Sequence, residues 1–156
     1  ESRRTLADFP SMPLPQINWE EQVENHLIVE HLSYDCVQER NALLARLPHL
    51  NQEQASAYQR IIEAVEAQRG SLFFLNGPAG TGKTFVYNTI CHKVRSEGWI
   101  VLCVASSGIA ALLLQGGRTS HSMFKIPVEN ITDELTCLIP KQSCLAQLIR
   151  EVRIII

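Results

Sequence analysis

The stretch from Gly77 to Thr84 constrains the fold more than any other part of the chain. It reads Gly-Pro-Ala-Gly-Thr-Gly-Lys-Thr and matches the pattern G-x-x-x-x-G-K-[ST] at every defined position. An apolar run, residues 72–75, precedes it, and an amphipathic segment follows it. Because such a loop holds phosphate between a strand and a helix, this order predicts an α/β fold with a parallel sheet flanked by helices.

The chemistry of this loop favours phosphate binding through backbone amides. Amides at a helix N-terminus point at an anion, and glycine permits its close approach. Lys83 is predicted to place its ammonium on the β- and γ-phosphates, and the Thr84 hydroxyl to coordinate Mg²⁺, so these two are the predicted catalytic residues. The alternative is a glycine-rich turn without a ligand. The predicted nucleotide-binding residues of the loop are Gly77, Pro78, Ala79, Gly80, Thr81, Gly82, Lys83 and Thr84.

The bulk composition excludes some classes of function. The chain has 156 residues, 46% of them hydrophobic and 19% charged, which suits a folded domain rather than disorder throughout. A net charge of -2 gives no overall attraction to nucleic acid, so a nucleic-acid surface would be a local patch. No apolar run approaches 18 residues, which predicts no membrane partner. The five cysteines include no C-x-x-C pair and are predicted to be reduced, intracellular and mostly structural.

Residues 1–48 are predicted to be an N-terminal arm followed by a helical segment. The arm, residues 1–19, has no apolar periodicity, and its three closely spaced prolines forbid a regular helix or a central strand. Residues 20–47 alternate acidic and apolar side chains and predict a helix or a helix pair that ends before Pro48. The leucines at helical spacing in this segment are Leu43, Leu44 and Leu47.

Residues 49–156 are predicted to form the nucleotide-binding domain. A helix is expected to begin at Asn51 and to end at Gly70. A β-α-β unit should follow, with a strand at 72–75, a helix at 83–96 and a buried strand at 100–104. The predicted inward faces of the two helices are Tyr58, Ile61, Ile62 and Val65, and Val86, Thr89, Ile90 and Val94.

Further elements are predicted towards the end of the chain. A short helix is expected at 109–114, and residues 127–142 read as a loop with short ordered pieces. Ser143 is a candidate cap for a helix that precedes a third parallel strand at 152–156. The predicted inward residues of that helix are Leu145, Leu148 and Ile149.

Gln54 lies on the helix that precedes the phosphate loop. A carboxamide can hydrogen-bond both N6 and N7 of adenine, so Gln54 is a candidate for selecting ATP over GTP. The alternative is that Gln54 only closes a capping box with Asn51. Periodicity alone leaves both interpretations open.

Several segments resemble the Pif family of superfamily 1 DNA helicases, especially the helicases of Helitron-type transposons. The order and spacing of these segments are more specific than any one of them. In the transposon branch, a segment precedes the helicase core. It is similar to Leu6–Pro10 with Met12-Pro13 of this chain. The matching motifs are a Q motif in Leu50–Gln54 with Ala57-Tyr58, motif I in Phe74–Thr84, motif Ia in Ala105–Ala111, and the motif after it in Gly116–Phe124.

The resemblance implies a RecA-like P-loop NTPase fold in residues 49–156, as part of the first motor domain. It implies Mg²⁺-dependent ATP hydrolysis coupled to 5′-to-3′ movement on single-stranded DNA, with nuclear or mitochondrial roles in DNA repair, recombination and telomere maintenance. Phe124 is expected to pack in the core rather than on a base, and Arg118 and Lys125 to add local positive charge. The residues implied to face DNA are Ser106, Ser107, Thr119, His121 and Ser122.

The resemblance also implies parts that these residues do not contain. In the family the strand at 152–156 continues into an Asp-Glu pair that holds Mg²⁺ and polarises water, and a second RecA-like domain closes on ATP. The 156-residue stretch alone is therefore expected to be nearly inactive as a motor. Two alternatives remain at this stage: a nucleotide-binding module or transposon remnant without turnover, and a P-loop ATPase unrelated to nucleic acid.

Overall fold

The computed structural model describes residues 25–128 and 136–156. The arm predicted at 1–19 and the centre of the loop predicted at 127–142 lie outside the described residues. The helices are α1 (His26–Leu32), α2 (Cys36–Arg46), α3 (Gln52–Glu66), α4 (Lys83–Ser96), α5 (Gly108–Ala111), α6 (Ser120–Phe124) and α7 (Cys144–Glu151). The strands are β1 (Ile100–Leu102), β2 (Val104–Ala105), β3 (Arg118–Thr119) and β4 (Val152–Ile155).

The strands form two parallel pairs, which confirms the α/β class and the parallel pairing. In the first pair β1 lies beside β4, with Leu102 opposite Ile155; in the second, β2 lies beside β3, with Ala105 opposite Thr119. The sequence predicts one strand over 100–104, but Cys103 separates β1 from β2. The Cys103 carbonyl accepts a hydrogen bond from the Arg118 amide at 3.0 Å, while the Val104 amide still donates to the Ile156 carbonyl at 2.7 Å. The chain therefore gains β3 as a second neighbour at this point.

The core lies on both faces of β1. Val101 belongs to a cluster with the inward residues of α3 and α4, whereas Ile100 and Leu102 belong to a second cluster with Met123 and Leu148. Successive residues of a strand point to opposite faces, so a continuous apolar strand is buried between two layers. The predicted inward faces of α3 and α4 are confirmed, since all eight predicted residues are buried.

The strand predicted at 72–75 is wrong. Residues 71–76 are not part of any strand, since their backbone makes no hydrogen bond to another described backbone group, and Leu72 and Phe74 are 103% and 91% exposed. A mostly apolar groove of about 830 Å³ lies between this run and β4. An extended segment becomes a strand only beside a partner backbone, and no described strand edge pairs with this run.

Helix ends and one helical face also differ from the predictions. Helix α3 ends at Glu66 rather than Gly70, because Gln68 takes the left-handed conformation with φ of 51°. Helix α5 is shorter than predicted, and Leu44 is 59% exposed.

Helices α1 and α2 confirm the helix pair predicted within 20–47. The Ser143 cap of α7 is confirmed, since its hydroxyl accepts from the Ala146 amide. None of the described helices is long and apolar enough to cross a membrane.

Candidate nucleotide-binding site

The phosphate loop leads directly into α4, and two of its glycines carry the turn. Gly80 and Gly82 have φ values of 79° and 78°, in the left-handed region that side chains disfavour. Gly82 is also the N-cap of α4, and a β-carbon there would lie 2.6 Å from Nε2 of Gln54. The left-handed conformation therefore favours glycine at position 82, and a larger residue there would also displace the Gln54 side chain. The predicted loop residues lie together in one turn at the N-terminus of α4.

Lys83 folds back over the loop. Its ammonium donates hydrogen bonds to the carbonyls of Gly77 and Pro78, at 2.6 and 2.8 Å. The Thr81 hydroxyl donates to the same Pro78 carbonyl at 2.9 Å. The ammonium thus lies within the curve of the loop, beside the amides at the start of α4. This arrangement can offer a positive charge and several N–H donors to a phosphate group.

Thr84 lies at the second position of α4 and is half-buried. Its hydroxyl makes no hydrogen bond to any described side chain or backbone group. An uncommitted hydroxyl oxygen beside a phosphate-binding loop fits a Mg²⁺ site, because Mg²⁺ takes oxygen ligands and few of them from protein. Within 25–128 and 136–156 no three His, Cys, Asp or Glu side chains come together to hold a metal. The role of Thr84 as a Mg²⁺ ligand stays a prediction.

Gln54 links α3 to the phosphate loop. The capping box is confirmed: the Asn51 amide donates to Oε1 of Gln54 at 3.0 Å, and the Gln54 amide donates to Oδ1 of Asn51 at 2.9 Å. In addition, Nε2 of Gln54 donates to the Thr81 carbonyl at 2.9 Å. The side chain of Gln54 therefore reaches the loop while it caps α3. Its contact with adenine stays a prediction.

The residues predicted to face DNA come together at one edge of the second strand pair. Ser106 and Ser107 follow β2, and Thr119 ends β3 before His121 and Ser122. Because β2 and β3 are parallel, their carboxyl ends lie side by side. Four of these residues are exposed and Thr119 is half-buried. We call these five residues the hydroxyl edge; their contact with DNA stays a prediction.

Two residues of the hydroxyl edge have structural roles as well. The Ser107 hydroxyl accepts from the Ala110 amide and caps α5, and the Thr119 hydroxyl accepts from the Ser122 amide and caps α6. The edge therefore presents two helix N-termini near one another.

Phe124 is half-buried against the second core cluster, which confirms the expectation that it packs in the core. Lys125 is exposed, but Arg118 is paired with Glu30 at 2.8 Å.

Comparison with known proteins identifies the family. Residues 49–156, more than half of the chain, match the family model described as PIF1-like helicase. The chain belongs to the PIF1-like helicase family. The matched range contains the loop, Gln54 and the hydroxyl edge.

Individual members of the family resemble the chain over shorter stretches. The ATP-dependent DNA helicase PIF4 of Trypanosoma brucei brucei is 32% identical over 101 residues, which cover 65% of this chain and 11% of that protein. The ATP-dependent DNA helicase PIF1 of the same organism is 34% identical over 74 residues, covering 47% and 7%. The ATP-dependent DNA helicase Pif1 of a Psychrobacter species is 43% identical over 67 residues, covering 43% and 10%. The aligned stretches thus span about a tenth of these relatives.

Helices α1 and α2 lie outside the PIF1-like match, yet α2 packs along α4. Arg46 at the end of α2 contacts Phe85 and Thr89 in the first turns of α4. Sequence reasoning missed these contacts. A basic residue in the last turn of a predicted helix is common and does not indicate its partner.

The core cysteines are a second feature that sequence reasoning missed. Cys91 of α4 and Cys103 between β1 and β2 are buried with their sulfurs 3.3 Å apart. Hydrogen bonding with Cys103 and burial raise the pKa of Cys91 far above its usual range. All five cysteines are free, as predicted, and a neutral, buried thiol at Cys91 suits a packing role.

Proposed function

We propose that the chain is the ATP-binding part of the first RecA-like motor domain of an ATP-dependent DNA helicase that moves 5′ to 3′ on single-stranded DNA. One observation carries this proposal: a complete phosphate loop, with Lys83 beside its amides, lies in the part of the chain that matches the PIF1-like helicase family. The names of the relatives supply the substrate class, since each is an ATP-dependent DNA helicase.

In the nucleotide step the chain's own groups bind and orient the phosphates. Amides of Gly80 to Thr84 donate to phosphate oxygens, and the Lys83 ammonium exchanges its loop carbonyls for the β- and γ-phosphates. The Thr84 hydroxyl would hold Mg²⁺, and a bound Mg²⁺ would neutralise charge that develops on the phosphates. Gln54 recognises the adenine edge, since its amide already lies beside the loop.

In the DNA step the hydroxyl edge contacts the backbone of single-stranded DNA. Hydroxyls and helix N-termini donate to phosphate oxygens, and such contacts position a strand without reading its sequence. Exposure of Ser106, Ser107, His121 and Ser122 supports this role. A second RecA-like domain of the full protein closes on the bound ATP and couples its hydrolysis to unwinding.

The biological setting follows from the resemblance alone. We place the full protein in the nucleus, with the mitochondrion as the alternative, in the Helitron-type branch of the family. Roles in DNA repair, recombination and telomere maintenance belong to the same proposal.

Replacing Lys83 tests the nucleotide site directly. Lys83→Ala should weaken binding of a fluorescent methylanthraniloyl-ATP with Mg²⁺ by about 100-fold, because a charged donor is worth about 1.5–3 kcal/mol and the γ-phosphate then lacks its counter-charge. The matched control is Lys93→Ala on the same helix, whose ammonium pairs with Glu66 and Glu97 away from the loop. Equal affinities of the Lys83→Ala variant and the unmodified chain would refute the assignment of the loop.

A further inference from the structure

Helix α2 lies antiparallel along α4, the helix that begins with Lys83. At the end of α2, Arg46 contacts the first turns of α4, whereas Arg40 donates to the carbonyl of Ser96, the last residue of α4. Between them, Oε2 of Glu39 lies 2.6 Å from Nδ1 of His92. These contacts, together with buried Leu43, join α2 to α4 along its whole length.

Arg46 makes the contacts nearest to the phosphate loop. Its guanidinium carbon lies 4.2 Å from the centre of the Phe85 ring, and its Nε donates to the Thr89 hydroxyl at 3.3 Å. Thr89 is fully buried and donates in turn to the Phe85 carbonyl at 2.7 Å. Phe85 directly follows Thr84 in the chain. Arg46 thus holds the turn of α4 that carries the predicted phosphate and metal ligands.

The phosphate loop depends on α4 for its position. On its upstream side residues 71–76 make no hydrogen bond to another described backbone group. Within 25–128 and 136–156, one hydrogen bond reaches the loop from a residue outside both the loop and α4. Its donor is the Gln54 side chain. Upstream, Leu75 packs against the first core cluster and is only partly buried, whereas downstream the loop continues into a helix with buried Val86, Ile90 and Val94. The direction of the loop amides is therefore determined mainly by how α4 is held.

We infer that Arg46 is a positioning residue for nucleotide binding, acting through Phe85 and Thr89 on the N-terminus of α4. This inference rests on the proposed function of the loop. Helix α2 precedes the residues that match the family model. On this inference α2 helps to position the nucleotide site. Arg46 itself contacts neither the loop nor, on this account, the nucleotide. The guanidinium provides both a flat cation for the ring and a donor for the hydroxyl.

The test compares nucleotide affinity and thermal stability in variants of the whole chain. Arg46→Ala should weaken binding of methylanthraniloyl-ATP with Mg²⁺ about five- to tenfold, the range expected when a remote contact that orients a site is lost. Arg46→Lys keeps a cation and a donor but loses the planar guanidinium that lies over the Phe85 ring, so it should recover only part of the lost affinity. Arg40→Ala is the matched control, because Arg40 lies on the same helix but contacts the far end of α4.

The outcomes separate positioning from general stability. Weaker binding by Arg46→Ala, partial recovery of binding by Arg46→Lys and unchanged binding by Arg40→Ala support the inference. Unchanged affinity in Arg46→Ala overturns it, as does equal weakening in Arg46→Ala and Arg40→Ala that follows their unfolding temperatures. Lys83→Ala runs beside them: if it binds as tightly as the unmodified chain, the proposed function fails and this inference falls with it. If only Lys83→Ala loses affinity, the loop assignment stands and the role of Arg46 is refuted.

Discussion

At the scale of single residues, two of the side chains proposed to bind the nucleotide, Lys83 and Gln54, are already engaged with the protein. The Lys83 ammonium bonds two loop carbonyls, and the Gln54 amide bonds both the α3 cap and the loop. Ligand binding must therefore exchange these bonds for bonds to phosphate and base. Such an exchange makes affinity depend on how well the ligand replaces each partner.

Gln54 offers a residue-scale prediction about base choice. Gln54→Glu keeps an acceptor for the Asn51 amide but loses the donor that the adenine contact requires. We expect the preference for methylanthraniloyl-ATP over the GTP analogue to fall about tenfold, since a bidentate contact to adenine discriminates by about 1–3 kcal/mol. Fluorescence titration with the two nucleotides measures the ratio. Gln59→Glu, on the exposed face of the same helix, is the control.

A result in which Gln54→Glu keeps the ATP to GTP ratio would limit the role of Gln54 to the capping box and the contact with the Thr81 carbonyl. The capping box itself was predictable, because Asn51 and Gln54 have the required types and spacing. The contact with Thr81 was not, since no local pattern predicts which loop a side chain on a neighbouring helix will reach.

At the scale of elements, sequence periodicity predicted the helices better than the strands. The bounds of α4 agree with the predicted 83–96, because its apolar spacing and its N-terminal glycine act within one segment. The apolar run at 72–75 has the composition of a strand, but a strand also needs a partner backbone, which composition does not predict. For the same reason the break at Cys103 and the packing of α2 on α4 depend on distant residues and could not be predicted.

Gly117 gives an element-scale prediction, because it joins α5 to β3. A β-carbon at Gly117 would clash with the Ala111 carbonyl oxygen, so an alanine there would push β3 away from β2. Gly117→Ala should lower the free energy of unfolding by about 1–3 kcal/mol, as overpacking does. Urea unfolding measures it. Gly70→Ala is the control, since its β-carbon would meet nothing within 4 Å. Equal stability of the two variants would contradict the tight contact.

At the scale of the whole molecule, the two strand pairs serve different predicted functions. The pair of β1 and β4 lies between the core clusters, whereas the pair of β2 and β3 carries the hydroxyl edge. The bond between the Cys103 carbonyl and the Arg118 amide joins the two pairs.

The most direct test of this account measures ATP hydrolysis by the full-length protein with and without single-stranded DNA. We expect DNA to stimulate hydrolysis, the stimulation to weaken as salt rises, and Lys83→Ala to abolish turnover, because phosphate binding by the loop is required for both. Lys93→Ala should retain the stimulation. Hydrolysis that is independent of DNA, or that persists in Lys83→Ala, would contradict the account.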